Sequence, residues 1–106
     1  MKIKVKMKKI FLILIYSIFS SWVLADSKMK LGLDVYNSKG MCGSCHALKA
    51  AESLGKIGPD LDQLKPQISQ IVYTVLNGIG VMPGFKDMLT MEEIDAVAYY
   101  VYKTTN

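Results

Sequence analysis

Cys42-Gly43-Ser44-Cys45-His46 is the stretch that most constrains what this chain can become, because it gathers both cysteines and the single histidine of the sequence. Each thiol can add across one vinyl group of a haem to form a thioether. The histidine after the second cysteine is then held under the porphyrin, where a ring nitrogen reaches the iron. A bare C-x-x-C is shared with redox dithiols and zinc sites. The adjoining histidine and the lack of any further cysteine narrow the reading to covalent attachment of haem c, one per chain, at Cys42 and Cys45 with His46 as iron ligand.

The beginning of the chain reads as an export leader spanning residues 1–25. Lys2, Lys4, Lys6, Lys8 and Lys9 form a cationic head, Ile10 to Leu24 is nearly continuous apolar sequence, and Val23-Leu24-Ala25 offers a cleavage junction before Asp26. The apolar run is shorter than the roughly 20 residues that comfortably cross a bilayer. Removal is therefore favoured over a retained anchor, and no cysteine stands at the junction to carry a lipid. C-x-x-C-H haem attachment takes place outside the bacterial cytoplasm, so the expected location is the periplasm, with membrane anchoring only if the leader is kept.

Removing the leader changes the charge argument. All 9 acidic residues follow Ala25 and 5 of the 13 lysines precede it, so the remaining chain carries 8 minus 9, or −1. The alkaline balance of the whole sequence belongs to the leader and gives no footprint for nucleic acid or for stable membrane association. Asp26 to Asn106, 81 of the 106 residues, makes a single domain. A domain that small buries a modest core and usually needs a staple, which a bound macrocycle would supply.

The remaining chain reads as all-α, three to four helices with loops wrapped around one covalently bound haem. Lys28 to Asn37 predicts a short helix with Leu31, Val35 and Tyr36 as apolar contacts, Gly32 for close approach of a partner helix, and Gly40 as a stop. His46 to Leu64 predicts a loop, with a tight turn at Gly58-Pro59-Asp60-Leu61 carrying one buried leucine. Lys65 to Asn77 predicts a helix with Pro66 in its first turn, and Gly78 ends it. Gly78 to Leu89 predicts loop. Thr90-Met91-Glu92-Glu93 is a capping box opening a last helix whose stripe is Ile94, Val97, Ala98 and Val101, with Tyr100 beside it and Leu89 and Ile94 as a staple. No segment reads as a strand.

The far side of the iron calls for a second ligand, and with one histidine the candidates are methionines. Met82 is best placed, in the glycine-rich loop between the long helices and stiffened by Pro83; Met88 and Met91 are the alternatives, and Met29 and Met41 are poorly placed. The ordinary fate of a methionine is to fill a gap in a core. A thioether opposite imidazole stabilises ferrous iron and leaves no open position, which favours electron transfer over catalysis.

Cys42-x-x-Cys45-His46, Gly58-Pro59-Asp60-Leu61, Val81-Met82-Pro83-Gly84-Phe85 and Glu93-Ile94-Asp95-Ala96-Val97-Ala98-Tyr99-Tyr100-Val101 together resemble the small single-haem class I c-type cytochromes of bacteria. The likeness covers nearly all of the chain after the leader. It implies the small cytochrome c fold, Cys42 and Cys45 as thioether sites, His46 and Met82 as iron ligands, and the carbonyl of Pro59 as acceptor for the other ring N–H of His46. It also implies a first-helix contact of Gly32 and Tyr36 with Val97 and Tyr100 of the last helix, although Tyr36 stands six residues before Cys42, a longer gap than is usual in the family.

Three functions follow from these readings. The first is a diffusible one-electron carrier, a monomer working between periplasmic or membrane redox protein partners. The second is a dedicated haem subunit of a dehydrogenase or reductase, and the third a thiol-disulfide oxidoreductase, for which the alternating strands and helices are missing. A gas-binding variant with a labile Met82 bond is a further possibility. Lys39, Lys49, Lys56 and Lys86 flank the haem segments and either rim a docking surface or are simply solvated. Tyr73 and Tyr102 read as packing or surface aromatics, and Asp60 and Asp62 as turn residues.

Overall fold

The computed structural model describes residues 22–106. The cationic head and most of the apolar run of the expected leader lie outside the described residues. Helix α1 covers 22–37 and so is already helical at Trp22. The expected helix began at Lys28, but no glycine or proline breaks the preceding residues, so the expected cleavage junction at Ala25 falls inside helical backbone. Residues 22–28 are exposed, and the helix buries itself only further along, at Gly32, Val35 and Tyr36.

Five further elements follow: strands β1 (Ala47–Leu48) and β2 (Ser53–Leu54), and helices α2 (Leu61–Leu64), α3 (Ile68–Asn77) and α4 (Met91–Thr105). The architecture is helical as expected, but it also holds strands where none was expected. β1 and β2 form an antiparallel ribbon pairing Ala47 with Leu54 and Leu48 with Ser53. Two residues per strand are too few to show alternation in sequence, and the ribbon depends on Glu52 adopting the left-handed region, φ 54°, at the turn.

The helix expected from Lys65 starts later, at Ile68, and the stretch before it, expected as loop, holds a separate short helix, α2. Asp60 caps α2 by accepting the amides of Asp62 and Gln63, and Lys65, at φ 48°, closes it in a left-handed conformation. Pro66 therefore sits in the connection and is buried there, while α3 starts at Ile68 after Gln67. A left-handed residue ends a helix as firmly as a proline can begin one, and lysine gives no hint of that conformation in sequence. Gly78 ends α3 as expected, its N–H donating to the Thr74 carbonyl at 2.7 Å.

The capping box of α4 is complete. Thr90 Oγ1 accepts the Glu93 amide at 3.1 Å and the Glu93 carboxylate accepts the Thr90 amide at 3.0 Å. Leu89 and Ile94, the staple pair, are both buried, and Ile94, Val97, Ala98, Tyr100 and Val101 line the inward face.

One buried cluster joins the elements, with Tyr36 from α1, Leu48 from β1, Leu61 from α2, Val75 from α3 and Ile94 and Val97 from α4. Its tightest point is the crossing of α1 over α4. A Cβ on Gly32 would strike the carbonyl oxygen of Ala96 and come within 2.5 Å of the Tyr100 Cβ, so the two helices touch backbone to backbone. Of the expected contacts on α4, Tyr100 faces Gly32, joined there by the backbone of Ala96. Tyr36 packs on Tyr100 as expected, ring centroids 6.2 Å apart and tilted by 57°.

Candidate functional site

The attachment pentapeptide folds as a single 3-10 turn, Cys42–Ser44, whose backbone hydrogen bonds run from Cys45 and His46 back to the Cys42 carbonyl at 3.1 and 2.9 Å. Met41 opens that turn in the left-handed region at φ 47°. The turn brings Cys42, Cys45 and His46 onto one short segment, with all three half-buried.

The chain after the ribbon returns across this turn. The Gly58 amide donates to the Cys45 carbonyl at 2.7 Å. A Cβ on Gly58 would sit 2.5 to 3.0 Å from three atoms of the His46 ring, and one on Gly55 would strike the backbone of Cys45 and His46. Only glycine lets the backbone pass this close. The next residue completes the arrangement: Pro59 presents its carbonyl oxygen 2.7 Å from His46 Nδ1. With Nδ1 donating, the ring is fixed in the tautomer whose Nε2 is an acceptor, and Nε2 has no hydrogen-bond partner among the described residues.

Met82 comes from a different structure. Ile79 and Met82 exchange both backbone hydrogen bonds, at 3.1 and 2.9 Å, around a two-residue turn with Gly80 at φ 56° in its first central position. That is where a type II′ turn needs glycine, so the backbone presenting the Met82 sulfur is itself hydrogen-bonded. Met82 is half-buried and packs on the central cluster, as Cys42 does, whereas Met88, Met91 and Met41 are 62%, 52% and 64% exposed. No hydrogen bond joins Met82 to His46; the shared cluster links their segments.

These residues fit haem c. Among the described residues no three His, Cys, Asp or Glu side chains gather to hold a bare metal ion. An imidazole with a free Nε2, two thiols on the same turn and a thioether are instead the donors a macrocycle requires. Large apolar side chains on the segments flanking His46 and Met82 are exposed, among them Leu54, Ile57, Leu64, Ile79 and Val81. Covering such surface stabilises a small domain by about 25 cal/mol per Å².

Burial pushes the Cys42 thiol up to about 11. A reactive dithiol favours the reverse, a thiolate near neutral pH. Lys39, one of the possible docking lysines, is engaged: its Nζ lies 2.8 Å from the Glu93 carboxylate, an ion pair no sequence pattern announces. Tyr73 is 70% exposed, a surface aromatic. Asp60 caps α2, and Asp62 accepts the Lys49 amide at 2.8 Å, so both are structural. Sequence reasoning missed the hydroxyl contact between Tyr36 and Ser53, at 2.8 Å.

Residues 27–101 match the protein family described as "Cytochrome C oxidase, cbb3-type, subunit III". The chain is 37% identical over 83 residues to "Cytochrome c6, chloroplastic" of Chlamydomonas reinhardtii, covering 71% of this chain and 53% of that protein. It is 36% identical over 85 residues to "Cytochrome c6" of Bryopsis maxima, covering 74% of this chain and 93% of that protein. It therefore spans about half of the first relative and nearly all of the second. The c-type cytochrome SorU from Sinorhizobium meliloti has the same fold, with a TM-score of 0.72, 41% identity, and coverage of 76% of this chain and 93% of that one. With the C-x-x-C-H turn and the fold in agreement, the chain belongs to the small class I c-type cytochromes and is an electron carrier on covalently bound haem c.

Proposed function

We propose that the chain is exported with cleavage of residues 1–25 and works in the periplasm as a monomeric one-electron carrier between redox proteins. In this reading Cys42 and Cys45 hold the haem vinyl groups, His46 Nε2 and the Met82 sulfur bind the iron, and Pro59 orients His46. When bound, haem c supplies an Fe(III)/Fe(II) couple. The observation that carries the reading is the 2.7 Å contact of His46 Nδ1 with the Pro59 carbonyl, made on the same turn that bears both thiols.

Each residue has a separable task. The Pro59 carbonyl accepts the hydrogen bond from Nδ1–H, which fixes ring plane and tautomer and raises the basicity of Nε2. The hairpin at Ile79 and Met82 limits how far the sulfur can move, so Met82 would hold a bound haem from a fixed stretch of backbone. Among the described residues no helix is long and apolar enough to cross a membrane.

Absorption spectra of the purified protein in both redox states, repeated with Met82→Ala, test the ligand set. Loss of the weak ferric band diagnostic of sulfur ligation supports Met82; an intact band in the variant overturns it. A second reading is favoured by the matched family, which is named for an oxidase subunit: the domain serves one larger enzyme. Copurification with a larger polypeptide from the native source supports that reading, and recovery as a free monomer supports the carrier.

A further inference from the structure

Residues 53–59 lie as a strap across the attachment turn. Its far end is fixed by the Gly58 amide on the Cys45 carbonyl and by Pro59 on His46 Nδ1. Its near end is fixed by the ribbon, which pairs Ser53 with Leu48, and by side chains. Tyr36 Oη lies 2.8 Å from Ser53 Oγ and 3.4 Å from the His46 carbonyl oxygen. A Cβ on Gly43 would meet the Ser53 Cβ at 2.8 Å and the Tyr36 ring at 3.4 Å, so strap, turn and tyrosine are pressed together at this point.

The donors are set by counting protons. The His46 carbonyl only accepts, so a Tyr36 hydroxyl that uses both contacts donates to His46 and accepts from Ser53. Tyr36 has no exposed surface, and burial raises its hydroxyl above the ordinary tyrosine value, which keeps the donor protonated. The ring itself packs on the Tyr100 ring, so its hydroxyl is free to serve the two oxygens of Ser53 and His46.

We infer that Tyr36 and Ser53 are positioning residues for His46, a hydroxyl relay running from the strap through α1 to the His46 carbonyl that holds the ligand's backbone while Pro59 holds its ring. This inference rests on the proposed role of His46 as iron ligand. The relay fixes the end of the strap opposite the ring contact, so that neither the peptide nor the imidazole of His46 can rotate independently.

Tyr36→Phe and Ser53→Ala each remove one hydroxyl and leave the packing in place. In the haem-loaded protein, either variant is expected to change the pattern of hyperfine-shifted haem methyl resonances, which reports the ring plane of the iron-bound histidine. Amide exchange at His46 and Gly58 should quicken roughly three- to tenfold relative to amides of α4, as loss of one part-buried hydrogen bond implies. The double variant should do little more than either single one, because the relay is already broken. An unchanged methyl pattern in both variants, or exchange that rises equally at His46 and in α4, overturns the inference and leaves Tyr36 as a packing residue. A wild-type chain without covalent haem would overturn the functional reading instead.

Discussion

His46 and Gly58 are in contact through the ring itself: the Gly58 backbone lies so close that a methyl group there would sit 2.5 Å from Cε1 and 2.8 Å from Nδ1 of the imidazole. Gly58→Ala must displace either the ring or the strap, at a cost of about 1–3 kcal/mol for overpacking. The expected outcome is lower yield of haem-loaded protein and a shifted reduction potential in what is recovered. An alanine variant with wild-type potential and yield would show that the strap yields freely and does not set the ligand.

Gly32→Ala sets two effects against each other. Alanine gains about 1 kcal/mol of helix propensity over glycine. The new Cβ would press on the Ala96 carbonyl and the Tyr100 Cβ, which belong to the backbone and root of α4 and cannot rotate away. Overpacking of about 1–3 kcal/mol wins where the neighbour is rigid. Thermal unfolding should therefore show a lowered midpoint, and a raised one would mean that the helices separate without cost.

Thr90→Ala removes the oxygen that accepts the Glu93 amide and should cost about 1 kcal/mol, or roughly 4–8 °C in Tm for a domain of this size. The change should be confined to stability, with the visible spectrum unaltered at temperatures where the protein is folded. An altered spectrum would tie the start of α4 to the ligand set.

Glu93 couples the same cap to the segment before the attachment turn. Its carboxyl is held below the usual glutamate range, first by the hydrogen bond from Lys39 and then by the Thr90 amide. A lowered folded value contributes stability that is fully present above the unfolded value, about 4.3, and is lost as pH falls through the folded one. Wild type should accordingly exceed Glu93→Gln in stability at neutral pH, with the difference shrinking below about pH 4.3. Lys39 is raised by the same pair, so its contribution is lost only at alkaline pH above its ordinary value. Acid unfolding followed by circular dichroism decides it, and a gap that widens with acid would contradict the assignment.

What could be read in the sequence was whatever local chemistry dictates. The α4 cap needs Thr90 and Glu93 three residues apart, and the buried stripe needs only helical spacing, so both were legible before any contact was known. The short helix α2 and the late start of α3 at Ile68 were not legible, because they depend on Lys65 taking a left-handed conformation that its side chain does not announce. Ser53 and Tyr36 stand 17 residues apart, and Lys39 is farther still from Glu93; such pairs exist only once the chain has folded over the turn. Pro59 lies between the two cases, since the backbone carbonyl does the work and the family resemblance, not the side chain, pointed to it.

The central claim is that haem is bonded to the chain through Cys42 and Cys45. Intact mass measured under denaturing conditions, after expression with a working haem-attachment system, tests it most directly. A polypeptide heavier by one haem is expected, with the added mass lost on Cys42→Ala/Cys45→Ala substitution; a wild-type chain of unmodified mass would overturn covalent attachment.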